Sequence, residues 1–201
     1  MKNALVILNP QAGMRKGAQN IYDILSILQQ GGYLCTLAIT SRGGEATDFA
    51  AEQGAERDLI VCIGGDGTYN EVAAGVLRAG LNVPIGYIPA GSTNDFANSL
   101  HLSTQIKTAA QDVVMGRVRA LDMGSFGGRH FAYVASFGAF SKTSYSTPQT
   151  LKNMLGHLAY LLEGIKDLTT LHPVHMRIET DQQVFEDDYL FGAFSNSTSI
   201  G

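Results

Sequence analysis

Short apolar runs alternate with segments of helical spacing over the first 116 residues. Four of the runs predict buried strands, at about residues 4–8, 33–39, 59–63 and 84–88. Between them, apolar residues recur every three or four positions, which predicts helices with one buried face. The residues predicted on those faces are Ala18, Ile21, Tyr22, Leu25, Leu28, Ala46, Phe49, Ala50, Val72, Ala73, Val76, Leu77, Ile106, Ala109, Ala110, Val113 and Val114. The alternation predicts a Rossmann-like α/β domain over residues 1–116, with a parallel sheet covered by helices on both faces.

The pattern changes near residue 117, where strand follows strand. Residues 118–126 and 130–137 predict a hairpin around Gly127 and Gly128, and residues 174–178 and 184–194 predict two more strands. We therefore expect a second domain over residues 117–201, an antiparallel β-sandwich that is incomplete in this chain. An apolar helix predicted between Leu151 and Ile165 interrupts it. That helix could belong to the core or cover an apolar substrate, and both interpretations stay open.

Small and polar residues follow each of the four predicted parallel strands. These segments are Asn9–Gly13, Thr40–Gly44, Gly64–Thr68 and Pro89–Asp95. Because parallel strands end at the same edge of a sheet, and ligands bind there, the four segments predict one continuous polar site. Ordinary turns would be scattered over the surface instead.

The segment Gly64-Gly-Asp-Gly-Thr68 joins a predicted buried strand to a predicted helix. Glycine lets the backbone approach a phosphate closely, and the free N–H groups of a helix start point at the anion. Asp66 would repel a phosphate unless a cation lies between them, which predicts a nucleotide with its Mg²⁺. The alternative is a plain strand–helix junction, with Asp66 as a helix cap.

Composition narrows the class of protein. The chain has 201 residues, of which 45% are apolar, so it can form one large domain or one domain and part of a second. The net charge is −4 and no basic stripe is present, so nucleic acid is not an expected partner. No apolar run approaches the roughly 20 residues of a membrane-spanning helix, and the run Ala4–Leu8 is too short for a secretory signal. Cys35 and Cys62 are predicted to be buried free thiols, consistent with a reducing cytoplasm.

Together these motifs resemble those of the bacterial soluble diacylglycerol kinases, within the lipid kinase family that includes sphingosine and ceramide kinases. The matching stretches are Asn9–Gly13, Gly64–Glu71, Gly91–Ala97, Leu121–Gly124 and, more weakly, Ser144–Pro148. NAD kinases and phosphofructokinases share the Gly-Gly-Asp-Gly core, but not the Asn70-Glu71 continuation together with the third motif. Thr93 stands where this family often has glycine.

The resemblance implies two domains, with ATP bound in the cleft between them. It places the nucleotide on Asn9, Gly13, Thr40, Gly65, Asp66, Gly67, Thr68, Asn70, Glu71 and Thr93. It also places Asp66, Asp95 and Asp122 in a shared network of carboxylates and water that holds Mg²⁺. Three carboxylates close together are costly unless a cation or protons compensate. The alternatives are a helix cap for Asp95 and a turn residue at a strand end for Asp122.

The implied reaction is transfer of the γ-phosphoryl group of ATP to the hydroxyl of a membrane lipid, with diacylglycerol converted to phosphatidic acid. The resemblance also implies a cytoplasmic enzyme at the membrane surface. Its general base should lie in an Asp-Gly-Glu-like stretch, and the chain's one Asp-Gly pair is Asp66-Gly67, so no catalytic base is expected within residues 1–201. We therefore expect a fragment, inactive alone, whose unfinished sheet favours aggregation or a homodimer.

Two other functions stay open at this point. One is an NAD kinase or another small-molecule kinase that uses the same nucleotide site. The other is a nucleotide- or lipid-binding module without turnover. Of the remaining charged residues, Arg15 and Lys16 could contact phosphate or be solvated. His172 and His175 are predicted to point to opposite faces of a strand, so a metal pair is not expected.

Overall fold

A computed structural model describes residues 1–138 and 172–197. The predicted apolar helix between Leu151 and Ile165, and the stretch Ser144–Pro148, lie outside the described residues. The chain divides into two compact units, the first containing residues 1–133 with Asn196 and Ser197, and the second lying within residues 134–195. The domain boundary expected near residue 117 stays a prediction. Within the described ranges, none of the helices combines the length and hydropathy that a membrane crossing needs.

Four parallel strands form the sheet of the first unit, in the order β2-β1-β3-β4. They are β1 (Lys2–Leu8), β2 (Tyr33–Ile39), β3 (Leu59–Gly64) and β4 (Ile85–Pro89). All four lie where the apolar runs predicted them. Leu8 pairs with Ile39 on one side and Ile63 on the other, so the strands end almost level. The segments that follow them therefore meet at one edge, called here the carboxyl edge.

Helices cover both faces of this sheet, as predicted. On one face, helices pack against Leu5 and Ile60, and on the other they pack against Val6 and Val61. The alternation follows because successive side chains of a strand point to opposite faces. The first layer contains α3 (Glu45–Gln53) and α4 (Asp66–Arg78), and the second contains α2 (Ile21–Gln30) and α6 (Ile106–Met115). Three short elements complete the unit: a 3₁₀ turn (Ala12–Arg15), α1 (Lys16–Gln19) and α5 (Asp95–Ser99).

Two residues predicted on buried helix faces are exposed instead. Tyr22 is 81% exposed and Leu77 is 44% exposed. In α2 the buried residues are Ile24 and Leu28, four positions apart, so the face that meets the sheet passes beside Tyr22. Leu77 lies at the flank of the buried stripe of α4. The spacing of apolar residues predicted both helices correctly, but each predicted buried face included one residue that is exposed.

Small antiparallel sheets follow the parallel one, as predicted. In the first unit, β5 (Gly124–Phe126) pairs with β6 (Arg129–Phe131) around two glycines of positive φ, Gly127 and Gly128. In the second unit, β7 (Val134–Gly138) pairs with β10 (Phe191–Ser195), and β8 (Val174–Glu179) pairs with β9 (Val184–Tyr189). Residues 118–123 form no strand, and the predicted strand 130–137 breaks before Val134.

The prediction of one continuous strand over residues 184–194 is wrong. Leu190 separates β9 from β10 because the two strands pair with different partners. Both cysteines are free thiols, as predicted, but only Cys62 is fully buried. Cys35 is half-buried because β2 is an edge strand. Burial raises the pKa of both thiols, which disfavours a reactive thiolate at either position.

Candidate functional site

The carboxyl edge contains the point where the strand order reverses. From β1, the chain reaches β2 on one side, and β3 lies on the other side. Ligands of open α/β sheets bind in the crevice at such a point, outside the carboxyl ends of the strands. All four polar segments predicted from the sequence lie at this edge. Hydrogen bonds join the first, third and fourth segments, and the second bonds to Leu8 and Glu71 beside them.

Asn9 ties the segment after β1 to the segment after β3. Its side-chain amide Nδ2 donates to Thr68 Oγ1 at 3.1 Å, and its backbone N–H donates to the carbonyl oxygen of Ile63 at 2.9 Å. Its Oδ1 accepts from the N–H of Gln11 at 3.1 Å, which closes the turn. Two residues predicted to bind the nucleotide, Asn9 and Thr68, are thereby brought together.

Gly13 lies against the segment after β4. A Cβ added to Gly13 would lie 2.2 Å from the carbonyl oxygen of Ala90, so only glycine fits there. Its φ of 48° begins a left-handed stretch that continues through Met14 at 56° and Arg15 at 65°. Such a conformation costs roughly 1–2 kcal/mol for a residue with a side chain. Strain of this kind persists where surrounding structure enforces it, and it is concentrated at functional sites.

The glycines after β3 form a cradle at the start of α4. Gly65 and Gly91 approach so closely that a Cβ on Gly91 would lie 2.6 Å from Gly65 Cα. A Cβ on Gly67 would meet nothing within 4 Å. The first N–H groups of a helix have no acceptor within the helix, and α4 is 13 residues long. Because no atom crowds Gly67, a phosphate could approach the N–H groups of this first turn.

Asp66 lies in the first turn of α4 with both carboxylate oxygens bonded. Oδ1 accepts from the hydroxyl of Tyr87 at 3.1 Å, and Oδ2 accepts from the N–H of Asp95 at 2.9 Å. Burial raises the pKa of Asp66, while the Tyr87 hydroxyl and the Asp95 N–H lower it less, and the charge of Asp95 adds to the rise. Burial likewise raises the pKa of Tyr87, so its hydroxyl stays a donor. A carboxylate whose charge is disfavoured in this way gains from a nearby cation.

The other two carboxylates of the predicted magnesium site differ in position. Asp95 opens α5, and its Oδ2 lies 3.4 Å from the Tyr133 hydroxyl, which donates to it. Asp122 is exposed, and its backbone carbonyl accepts from Asn196 Nδ2 at 2.6 Å. Among residues 1–138 and 172–197, no three His, Cys, Asp or Glu side chains are grouped to hold a metal directly. The Mg²⁺ network through water therefore stays a prediction, with Asp66 and Asp95 adjacent.

The Asn70-Glu71 pair holds two distant parts of the chain. Asn70 Oδ1 accepts from the N–H of Ala132 at 2.8 Å. Glu71 Oε1 accepts from the N–H of Gly44 at 2.9 Å, and its carbonyl oxygen accepts from Thr47 Oγ1 at 3.0 Å. Sequence analysis missed both roles, because neither partner is near in sequence. Contact of either residue with a nucleotide stays a prediction.

The two predicted threonines differ in exposure. Thr40 is buried, and both its N–H and its hydroxyl donate to the carbonyl oxygen of Leu8, at 2.9 and 3.3 Å. Thr93 is exposed and lines a polar cavity of about 270 Å³ together with Lys16 and Asn98. Lys16 lies on this cavity, but whether it contacts phosphate or is solvated stays open.

Asn94 is a residue of the third motif that sequence analysis left without a role. It is buried, has a φ of 57°, and closes its loop by bonding both the N–H and the carbonyl oxygen of Gly91, at 2.8 and 3.0 Å. Its type was a usable signal, because asparagine adopts the left-handed region more readily than most residues. Tyr87 was also missed, since its position inside a predicted strand indicated only packing.

The chain is similar to known proteins both in sequence and in fold. The sequence pattern of the family described as "Diacylglycerol kinase catalytic domain" matches residues 3–126. The diacylglycerol kinase of Bacillus subtilis (strain 168) is 36% identical over 203 residues, covering 100% of this chain and 67% of that protein. The diacylglycerol kinase of Staphylococcus saprophyticus is 34% identical over 190 residues, covering 94% of this chain and 62% of that protein.

A solved structure gives the same result for the fold. The crystal structure of a diacylglycerol kinase from Bacillus anthracis superposes with a TM-score of 0.77 at 27% identity, covering 98% of this chain and 65% of that one. This chain thus spans about two thirds or less of the length of these relatives. The residues that match the family include all four segments of the carboxyl edge. Together with its motifs and its fold, this match shows that the chain belongs to the diacylglycerol kinase catalytic domain family.

Proposed function

We propose that this chain carries the nucleotide-binding part of an ATP-dependent lipid kinase that phosphorylates diacylglycerol to phosphatidic acid. The observation that carries the proposal is the glycine cradle at the start of α4, with Asp66 held beside it by Tyr87 and Asp95. The cradle would receive a phosphate, and Asp66 and Asp95 would hold a cation beside it. Both are the parts that phosphoryl transfer requires.

Each residue of the edge then has a role in binding or positioning. Gly65, Gly67 and the first turn of α4 would receive the phosphates, since no side chain obstructs them. Asn9 and Thr68 keep the first and third segments in register through their mutual hydrogen bond. Thr93 and Lys16, on the neighbouring cavity, would extend the contact along the nucleotide.

The donor set at this edge fits magnesium. Asp66 and Asp95 offer hard oxygen ligands, and Mg²⁺ in proteins keeps several waters and takes one or two carboxylates. When bound, Mg²⁺ would neutralise charge on the phosphates of ATP. Asp122 would join this network through water. Asp66 and Asp95 hold their part of the site before any ligand arrives, because they are already joined through the Asp95 N–H.

The general base and the lipid acceptor of the proposed reaction are not assigned to residues of this edge. No described residue is assigned as the general base, and its position stays a prediction. Diacylglycerol resides in bilayers, so the proposed enzyme would act at the cytoplasmic membrane surface through peripheral contact. A homodimer stays a prediction of the sequence.

Turnover by the full-length product of the gene tests this proposal. Radiolabelled ATP is supplied with Mg²⁺ and, in parallel, with diacylglycerol in mixed micelles, sphingosine or NAD. We expect label in phosphatidic acid, with much less in the other two products. Labelling of NAD alone would instead support the small-molecule kinase, and absence of transfer to any acceptor despite nucleotide binding would support a binding module.

A further inference from the structure

Tyr87 reaches the carboxyl edge from inside the sheet layer. It lies on β4 opposite Cys62, and its side chain is buried, with 5% exposure. Its ring packs against Tyr69, with centroids 4.8 Å apart, and Tyr69 in turn packs against Phe96 at 5.2 Å. The hydroxyl of Tyr87 reaches the site, where it donates to Asp66 Oδ1 at 3.1 Å. A ring enclosed in this way cannot turn its hydroxyl elsewhere.

The two bonds on Asp66 fix the plane of its carboxylate. Tyr87 holds Oδ1 and the Asp95 N–H holds Oδ2, so rotation of the group would break one bond or both. The N–H of Phe96 also hydrogen-bonds to this carboxylate. The two oxygens have about four lone-pair positions between them, so these three bonds leave a position for the water of a cation and set the orientation in which Asp66 offers it.

We propose that Tyr87 is a positioning residue, whose hydroxyl presets the Asp66 carboxylate to receive the hydrated cation that accompanies the nucleotide. The inference rests on the proposed function and deepens it. This role of Tyr87 explains why a hydroxyl lies at an otherwise apolar position of β4. Partners that orient a metal's ligands typically change metal affinity by about 10- to 100-fold when they are removed.

The chain supplies a matched pair of variants for this inference. Tyr87→Phe removes one oxygen and keeps the ring between its neighbours. Tyr69→Phe makes the same change in the same aromatic cluster, at a hydroxyl that bonds neither Asp66 nor Asp95 among the described contacts. If the Tyr87 hydroxyl served only to satisfy the interior, both variants would change thermal stability and leave the response to magnesium alone.

The experiment measures binding of a fluorescent ATP analogue by this chain as Mg²⁺ is varied, with thermal unfolding recorded without magnesium or nucleotide. We expect Tyr87→Phe to raise the half-saturating Mg²⁺ concentration about tenfold, and Tyr69→Phe to leave it within about twofold of wild type. At saturating Mg²⁺, the maximal binding signal of Tyr87→Phe should equal that of wild type.

Three results would count against these ideas in different ways. An unchanged magnesium response in Tyr87→Phe overturns the inference while the proposed function stands. An equal shift in Tyr69→Phe also overturns it, because the effect would then belong to the aromatic cluster. A wild-type chain that binds no nucleotide at any Mg²⁺ concentration overturns the proposed function, and the role of Tyr87 with it.

Discussion

The carboxyl edge of the parallel sheet and the β8–β9 hairpin both collect polar and charged side chains, but they hold them differently. At the edge, bonds join residues far apart in sequence, such as Asn9 to Thr68 and Asp66 to Asp95. On the hairpin, His175 contacts Asp188 and Glu186 across the two strands, at 2.9 and 3.5 Å, and every one of these side chains is more than half exposed.

The difference shows which clusters of charge can act as a site. Exposed ion pairs contribute about 0–1 kcal/mol and are screened by salt, so the hairpin's side chains can rearrange at little cost. At the edge, side chains are held by bonds to other segments, either to side chains, as for Asn9 and Thr68, or to backbone, as for Asp66 and the Asp95 N–H, and the backbone at Gly13 and Gly65 is strained or closely packed. A site for a charged ligand requires that fixed arrangement, and charge density alone does not provide it.

Substitution of Gly13 should have the largest effect on the fold of the edge. Gly13→Ala puts a methyl group 2.2 Å from the Ala90 carbonyl oxygen, so the first and fourth segments must separate. We expect a loss of about 2–4 kcal/mol in the free energy of unfolding, from overpacking and left-handed strain together. Urea unfolding followed by circular dichroism measures it.

Gly44→Ala is the control for that change. Gly44 also has a positive φ, 83°, but an added Cβ would meet nothing within 4 Å. It should therefore lose only the roughly 1–2 kcal/mol of backbone strain. Equal losses in the two variants would mean that the close approach of Gly13 to Ala90 contributes nothing.

Asn70→Ala should have the next largest effect. It leaves the N–H of Ala132 without its acceptor, and Ala132 is buried. A buried donor without a partner costs about 1–3 kcal/mol. The comparison variant is Asn20→Ala, whose half-buried side chain bonds to the nearby carbonyl of Lys16, and whose loss should stay within about 0.5 kcal/mol. Chemical denaturation of both variants would show whether the long-range bond contributes more to the free energy of unfolding than the local one.

The sequence predicted which strands and segments form the carboxyl edge, but not which residues bond to one another there. Ala4–Leu8 of β1 and Leu59–Ile63 of β3 are uninterrupted apolar runs, and the carboxyl ends of parallel strands share an edge, so the four segments could be placed together. The bond between Asn70 and Ala132 spans 62 positions, and no local pattern encodes such a pairing. The role of Tyr87 was missed because hydrophobic periodicity predicts which side chains of a strand are buried. It does not predict which group a buried hydroxyl bonds to.

The pKa of Asp66 predicts a smaller, pH-dependent effect. Because burial raises the folded-state pKa of Asp66, the folded protein binds this proton more tightly than the unfolded chain does. Stability contributed at this position is therefore lost as pH rises through the folded pKa. The unfolding free energy of wild type should therefore fall relative to that of Asp66→Asn as the pH is raised from 4 to 7. A difference that is flat or moves the other way would contradict the burial of this carboxylate.

The hairpin should show the smallest effect. Hydrogen bonds from Asp188 and Glu186 raise the pKa of His175 above its ordinary value, so any stabilisation is present at low pH and is lost as pH rises through the folded pKa. Asp188→Asn should lower the pKa of His175, as seen by NMR titration of its ring protons, and leave nucleotide binding unchanged. A change in nucleotide affinity would mean that the hairpin contributes to the site after all.

Calorimetric titration of this chain with ATP in the presence of Mg²⁺ tests the central claim most directly. Wild type is compared with Asp66→Ala and with Asp112→Ala, a control that removes an exposed carboxylate from α6. We expect saturable binding by wild type and Asp112→Ala, and a loss of about 100-fold or more in Asp66→Ala. Asp66→Ala leaves the buried Tyr87 hydroxyl and the Asp95 N–H without their acceptor, so its unfolding free energy should fall by about 1–3 kcal/mol, and its folded state is checked by circular dichroism. Undiminished binding by a folded Asp66→Ala protein would contradict the assignment of this edge as the magnesium–nucleotide site.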